Sequence, residues 1–214
     1  MTPACPLCGR QPAEPLATLE GRPYWRCGRC ALRFLDPGHR LAPAAAAALY
    51  RRHENDAGDP GYRRFAARLV EPLLARLPDG RSGLDYGCGP DSAAAALLAE
   101  AGHAVALYDP LFRPDAAVLA ATYDFVILSE VAEHFHAPAE EFSRLARLLR
   151  PGGLIAVMTC FQTDDARFPG WHYRRDPTHV CFWREDTFRW LAAEQGWSCE
   201  IPRKDVALLR VGER

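Results

Sequence analysis

An α/β fold with a mostly parallel sheet, an antiparallel last strand and a small metal-stapled module ahead of it is predicted by three features of this 214-residue sequence. From about residue 82 onward, short apolar runs alternate with helical ones, the pattern of a sheet covered by helices on both faces. A glycine-rich loop, "GLDYGCGPDS", joins the first of those strands to its helix. Two Cys-x-x-Cys pairs lie within the first 30 residues. The length accommodates one full α/β core plus a small extra unit.

Taken in order, residues 1–38 read as the cysteine module and 39–80 as a helical linker or cap, Ala- and Arg-rich and interrupted by "NDAGDPG". Residues 81–214 read as the α/β domain. "SGLDYG" and "AVALYD" are buried strands with the helix "SAAAALLAEAG" between them, and "YDFVILSE" is a third strand. The helix "AEEFSRLARLL" and the strand "GGLIAVMT" follow. "REDTFRWLAAEQG" has apolar residues at helical spacing and closes at Gly196, and "SCEIPRKDVALLRV" suggests two strands joined by a tight turn.

The quartet Cys5-x2-Cys8, then 18 residues, then Cys27-x2-Cys30 has the spacing of a structural zinc site. Each pair points two sulfurs at one ion, and two pairs complete a tetrahedron. Gly9 and Gly28 are expected to supply the positive φ that such a turn needs. Four protein ligands leave no open position, so the Zn2+ is expected to fold the module, which has too little core to fold alone. Iron in the same ligand set is the alternative. Cys88, Cys160, Cys181 and Cys199 are scattered, with no base beside them in sequence, and read as buried thiols.

Glycines between a strand and a helix let the backbone approach a ligand, and the helix N-terminus adds unpaired N–H donors. Asp109 in "ALYDP" lies 20 residues beyond Gly89, where a carboxylate can accept both ribose hydroxyls of a nucleoside. With "LDYGCGP", "LYDP", "YDFVILSEVAEHF" and "LLRPGGLIAVMT" in that order, residues 82 to about 200 resemble a class I S-adenosylmethionine-dependent methyltransferase. The resemblance implies a Rossmann-like, doubly wound sheet over residues 81–214. It implies that Asp85, Gly87 and Gly89 line the methionine part of S-adenosylmethionine, that Asp109 holds its ribose, and that Cys88, Ser129 and Glu130 belong to the same site. Two departures stand out. Asp91 occupies the place of a third glycine, and about 15 residues separate Asp109 from "FVILSE", so the usual intervening helix and strand are shortened.

Two clusters are candidates for the chemistry. Glu130-x-x-Glu133-His134 is similar to a motif of metal-assisted quinone-precursor O-methyltransferases, which makes these residues candidate ligands of a second divalent cation. The alternative is that Glu133 and His134 begin a helical turn and orient the loop. The second cluster lies in "FPGWHYRRDPTHVCFW", residues 168–183, which topology places at the wall of the acceptor pocket. Neutral histidine suits proton transfer near neutral pH, so His134, His172, His179 and Tyr173 are the candidate catalytic side chains. Either the histidines and aromatics here react with and enclose an acceptor, or they hold a packed loop. A histidine-rich metal site spanning both clusters is a further alternative.

A net charge of −1, with 49% hydrophobic and 25% charged residues, is that of a soluble protein without general attraction for nucleic acid or anionic membrane. No apolar run is long enough to span a bilayer, and no apolar signal core is visible, which reads as cytoplasmic. The expected partner is a small-molecule methyl acceptor, with a homodimer conceivable through the zinc module. The competing reading is an RNA base methyltransferase gripping its substrate with the ribbon. Residues 1–40 carry six arginines against three acidic residues, interleaved with Tyr24, Trp25 and Phe34. A non-catalytic binding protein that keeps the fold is the third reading.

Overall fold

The computed structural model describes residues 2–52 and 55–212. The chain opens with three short antiparallel strands, β1 (Glu14–Leu19), β2 (Arg22–Arg26) and β3 (Arg33–Leu35). Two helices follow on either side of the expected interruption. These are α1 (Pro43–Tyr50) and α2 (Pro60–Leu74), the second capped by Asp59, whose side chain accepts from Tyr62 N.

The main domain then runs β4 (Ser82–Tyr86), α3 (Ala93–Glu100), β5 (Ala104–Tyr108) and β6 (Tyr123–Ser129), followed by α4 (Pro138–Arg147) and β7 (Leu149–Met158). After a two-residue strand, β8 (Cys181–Phe182), it ends with α5 (Glu185–Gln195), β9 (Ser198–Arg203) and β10 (Val206–Arg210). Among the described residues the six-stranded sheet has the order β5-β4-β6-β7-β10-β9. Its β5, β4, β6 and β7 are mutually parallel, and β10 runs antiparallel to β7 and β9. The expected α/β fold, with its antiparallel last strand, is present. The 15-residue gap before β6 holds one turn of 3-10 helix at Ala116–Ala120 and no strand, because so short a span cannot make a crossover.

Alternation along the central strands sends side chains to two opposite layers. Phe125, Ile127, Leu154, Ala156 and Met158 pack under Leu69, Val70 and Leu73 of α2 and Ala93, Ala94 and Leu98 of α3. Val126, Leu128, Ile155 and Val157 share the other core with Phe142 and Leu145 of α4 and Phe188 and Leu191 of α5. Small residues are needed where β4 meets β6. Gly83 pairs with Phe125, and a Cβ there would lie 2.0 Å from the Phe125 ring. Gly83→Ala is expected to cost about 1–3 kcal/mol through overpacking, read from urea unfolding. An unchanged midpoint would mean the ring moves aside freely.

The strand order reverses at β4: the chain moves outward to β5, then returns to β6 on the opposite side. Ligands of open α/β sheets bind at such a switch point, beyond the carboxyl ends of the strands. The loops after β4, β5, β6 and β7 all meet there.

The cysteine module is tied to the loop that follows β7. Strand β8 adds to its sheet, which has the order β1-β2-β3-β8, with Phe34 opposite Cys181. Tyr24, Leu32, Phe34 and Leu35 join the same buried cluster as Val180, Phe182 and Trp183. Arg33, itself buried, reaches Asp165 through both Nε and Nη2 at 2.8 Å.

Candidate active site

In the ribbon, the four sulfurs of Cys5, Cys8, Cys27 and Cys30 lie within 4.8 Å of one another. The Cys5–Cys30 and Cys8–Cys27 sulfurs are 3.5 and 3.4 Å apart. That is far beyond a disulfide and close to the edge of a tetrahedron with metal–sulfur bonds of about 2.3 Å. The two turns repeat each other: Gly9 N donates to Cys5 O and Ala31 N to Cys27 O, while Cys5 N and Cys27 N return to Arg10 O and Leu32 O. The residues at positive φ are Gly9 (69°) and Ala31 (59°), each directly after the second cysteine of its pair. Gly28 is not one of them, so the expectation for it was wrong: the left-handed position follows the pair and does not lie inside it.

At the switch point, Gly87 (φ 84°) and Gly89 (φ 66°) turn the chain from β4 toward α3. A Cβ on Gly87 would fall 2.7 Å from Val131. Gly87 N and Cys88 N both donate to Tyr108 O, which fastens the loop to the end of β5. Asp85 is buried. Its Oδ2 accepts from Ser92 Oγ at 2.5 Å, while Oδ1 has no hydrogen-bond partner among the described residues. Burial pushes its carboxyl up to about 7, against the opposing Ser92 bond. Asp109 accepts from Gly89 N at 3.1 Å and from Leu111 N and Phe112 N, so it anchors the glycine loop to the loop after β5. Cys88 is buried, its thiol pushed up to about 12 by desolvation, and is a packing group.

Asp91, where a third glycine was expected, has a job of its own. Its Oδ1 accepts from Ser92 N and its Oδ2 from Ala57 N at 2.7 Å, which ties the approach to α2 across the glycine loop. The sequence reading missed the contribution of α2. Arg68 ion-pairs with Asp205, and its charge also acts on Glu130. An Ala/Arg-rich helix carries no signal that would single it out.

The tip of β6 ends in Ser129 and Glu130. Glu130 is held at φ 54°, a left-handed conformation that a non-glycine residue adopts at a cost of about 1–3 kcal/mol. Tyr173 stands between the two acids of this loop. Its hydroxyl lies 2.5 Å from Glu133 Oε1, 3.1 Å from Glu130 Oε2 and 2.9 Å from Thr159 Oγ1 at the end of β7. One phenolic proton cannot serve two carboxylates, so a further proton must be shared in this group. Desolvation pushes both Glu130 and Glu133 well above the usual carboxylate range, and for Glu130 the neighbouring charge of Glu133 adds to it. Burial and the same two acids drive the Tyr173 hydroxyl upward as well. Thr159 is the residue sequence reasoning could have found, since it sits where strand β7 ends.

The 168–183 segment is zipped against the loop after β6. Val180 N donates to Glu133 O, Trp183 Nε1 to Ala132 O, and His134 Nδ1 lies 3.2 Å from Thr178 O. Phe168, Phe182 and Trp183 are fully buried and anchor it. Tyr173 and His179 face inward, their ring centroids 4.2 Å apart, and His134 lies 4.8 Å from His179. The structure therefore brings His134, His179, Tyr173, Glu130 and Glu133 together. It leaves out His172, which is exposed and lines a separate cleft of about 580 Å³ with Phe161, Gln162, Arg167 and Trp171.

Comparison with known proteins agrees with this arrangement. The family described as "Methyltransferase domain" matches residues 59–200. No curated protein matches the sequence. Among solved structures, the chain is similar to the 1,6-didemethyltoxoflavin-N1-methyltransferase of Burkholderia thailandensis, bound to 1,6-didemethyltoxoflavin and S-adenosylhomocysteine. Identity is 20%, coverage 94% of this chain and 100% of that one, and the TM-score 0.56. It is also similar to the magnesium protoporphyrin IX methyltransferase of Synechocystis PCC 6803 with bound S-adenosylhomocysteine, at 17% identity over 79% of this chain and 95% of that one, TM-score 0.53. With that match spanning most of its length and the loops of the switch point in place, the chain belongs to the S-adenosylmethionine-dependent methyltransferase-domain family, here with a four-cysteine ribbon at its N-terminus.

Proposed function

We propose that the protein transfers a methyl group from S-adenosylmethionine to a small-molecule acceptor that gives up a proton in the reaction. The observation that carries this reading is the Glu130–Tyr173–Glu133 group at the tips of β6 and β7, beside the glycine loop. The cofactor supplies an electrophilic methyl on a sulfonium, so the protein has to align the acceptor and take its proton. Glu130, half-buried and raised in pKa, is suited to accept that proton, with Tyr173 relaying charge to Glu133. His134 and His179 stand behind Tyr173 as the proposed polar wall. Asp85, Gly87, Cys88, Gly89, Asp109 and Ser129 are the proposed cofactor contacts. The unpartnered Asp85 Oδ1 suits the cofactor's ammonium group.

Nearby solved folds act on toxoflavin precursors and a porphyrin, as their descriptions state, and an acceptor of that class suits this site. The RNA reading fares worse. Arg26, Arg29 and Arg33 pair with Glu14, Glu194 and Asp165, while Arg22 and Arg40 donate to the carbonyls of Pro177 and His136. Tyr24 and Phe34 are buried, and Trp25 donates to Asp36. Charges and rings so engaged make a poor platform for phosphates and bases. Among the described residues no helix is long and apolar enough to cross a membrane.

Calorimetry of the metal-replete chain with S-adenosylhomocysteine tests the reading, and absence of binding would overturn it. Label transferred from methyl-labelled cofactor into RNA, and not into the small-molecule fraction, would favour the ribbon-grip alternative. A pH dependence follows from Asp85. Its raised value means the cofactor-free chain gains stability from this group at low pH and loses it as pH rises through about 7. Cofactor affinity moves the opposite way, since the ammonium needs the ionised carboxylate. Binding at about pH 6 should be roughly tenfold weaker than at about pH 8, and a flat calorimetric profile would remove Asp85 from the contact.

A further inference from the structure

We propose that Glu133, His134 and His179 bind a divalent cation next to the acceptor site. A carboxylate oxygen of Glu133 and one nitrogen from each imidazole lie within 4.8 Å of one another. The set differs from the one expected from the sequence motif: His179 enters it from 44 residues or more away along the chain, and Glu130 stays outside.

Three independent features point to an ion. The Nδ1 of His134 lies 3.2 Å from Thr178 O, and the Nδ1 of His179 lies 2.7 Å from Tyr173 O. A carbonyl only accepts, so each Nδ1 carries the proton and each Nε2 carries the lone pair, the arrangement in which outer partners orient metal-binding histidines. Second, Glu133 is completely buried, and its Oε2 has no hydrogen-bond partner among the described residues. Its other oxygen is gripped by Tyr173, which fixes the carboxylate plane. Third, all of these partners come from one segment, residues 173–179, so the fold that closes the loop also aims the ligands. Carboxylate oxygen and imidazole lone pairs gathered in one buried spot repel each other unless a cation lies between them.

Two imidazoles and a carboxylate suit zinc, cobalt, manganese or ferrous iron, and three protein ligands leave positions open. Asp176 Oδ2, 3.9 Å from His179 Nε2, stands close enough to become a fourth ligand. The open side would accept oxygen donors, so the ligand class it selects is an acceptor with adjacent hydroxyl or carbonyl oxygens. The ribbon site, by contrast, is closed by four sulfurs.

Metal content tests this without cofactor or turnover, so the outcome is separate from the fate of the methyl-transfer reading. Full-length protein reloaded with Co2+ and desalted should hold two equivalents per chain: one with thiolate charge-transfer absorption from the ribbon and one with weak visible bands of nitrogen and oxygen ligands. His179→Ala and Glu133→Gln should each lose the second equivalent and keep the thiolate band, which also reports that the ribbon is intact. One equivalent in the wild-type chain overturns the proposal, and so does retention of two in His179→Ala. Loss in Glu130→Gln with retention in His179→Ala overturns it in favour of the motif set. Should the variants fail to fold, anomalous scattering at the metal edge from wild-type crystals decides: a peak among Glu133, His134 and His179 is expected, and a peak at the ribbon alone overturns the site.

Discussion

Tyr173→Phe is expected to lower kcat by about 10²–10⁴ while leaving the affinity for S-adenosylhomocysteine nearly unchanged. The substitution removes one oxygen and keeps the ring that packs on Trp171 and His179. Without that oxygen, the hydroxyl contact that Glu133 and Glu130 share is gone and Thr159 Oγ1 loses its partner. The two acids then face each other across a gap with nothing to carry a proton between them. Because the glycine loop is fastened by Tyr108 and Asp109 instead, the cofactor site has no part in this loss. Single-turnover methyl transfer and calorimetry together separate the two effects. Equal turnover would remove the phenol from the mechanism, and a parallel fall in cofactor affinity would assign it to structure.

Cys30→Ser, or removal of the ribbon metal by a chelator, is expected to lower the melting temperature by about 10 °C or more, in a single transition. A structural four-sulfur site contributes several kcal/mol to folding, a large share of the total stability of a domain. The ribbon here does not melt on its own, because its buried residues belong to the cluster that contains Val180, Phe182 and Trp183. Losing β3 also removes the partner of β8 and the Arg33–Asp165 clamp, so the 168–183 segment loses its outer support. Differential scanning calorimetry with and without chelator reads the shift. Two well-separated transitions would show that the ribbon and the main domain unfold independently.

The same comparison explains which residues could be recognised early. The four cysteines, the glycines at 87 and 89 and the acids at 85 and 109 act through backbone geometry and short spacing. Both are local, and they are written into the order of residues. The alternation of Phe125 to Leu128 and of Leu154 to Met158 is local too, and it announces a strand buried on both faces. The positive φ in the ribbon was misassigned to Gly28, because the turn's left-handed residue need not be glycine, as Ala31 shows.

What the sequence by itself determined about this protein is its parallel sheet with a reversed last strand, its glycine loop and its sulfur quartet. Only the tertiary structure decided the fate of the segment at 168–183. It became a strap with one edge in the ribbon sheet and the other against the loop after β6, turning Tyr173 and His179 inward and leaving His172 outside. The physical reason is that burial, an unpartnered Glu133 oxygen and the meeting of groups some 40 residues apart are products of packing. No periodicity along the chain encodes them.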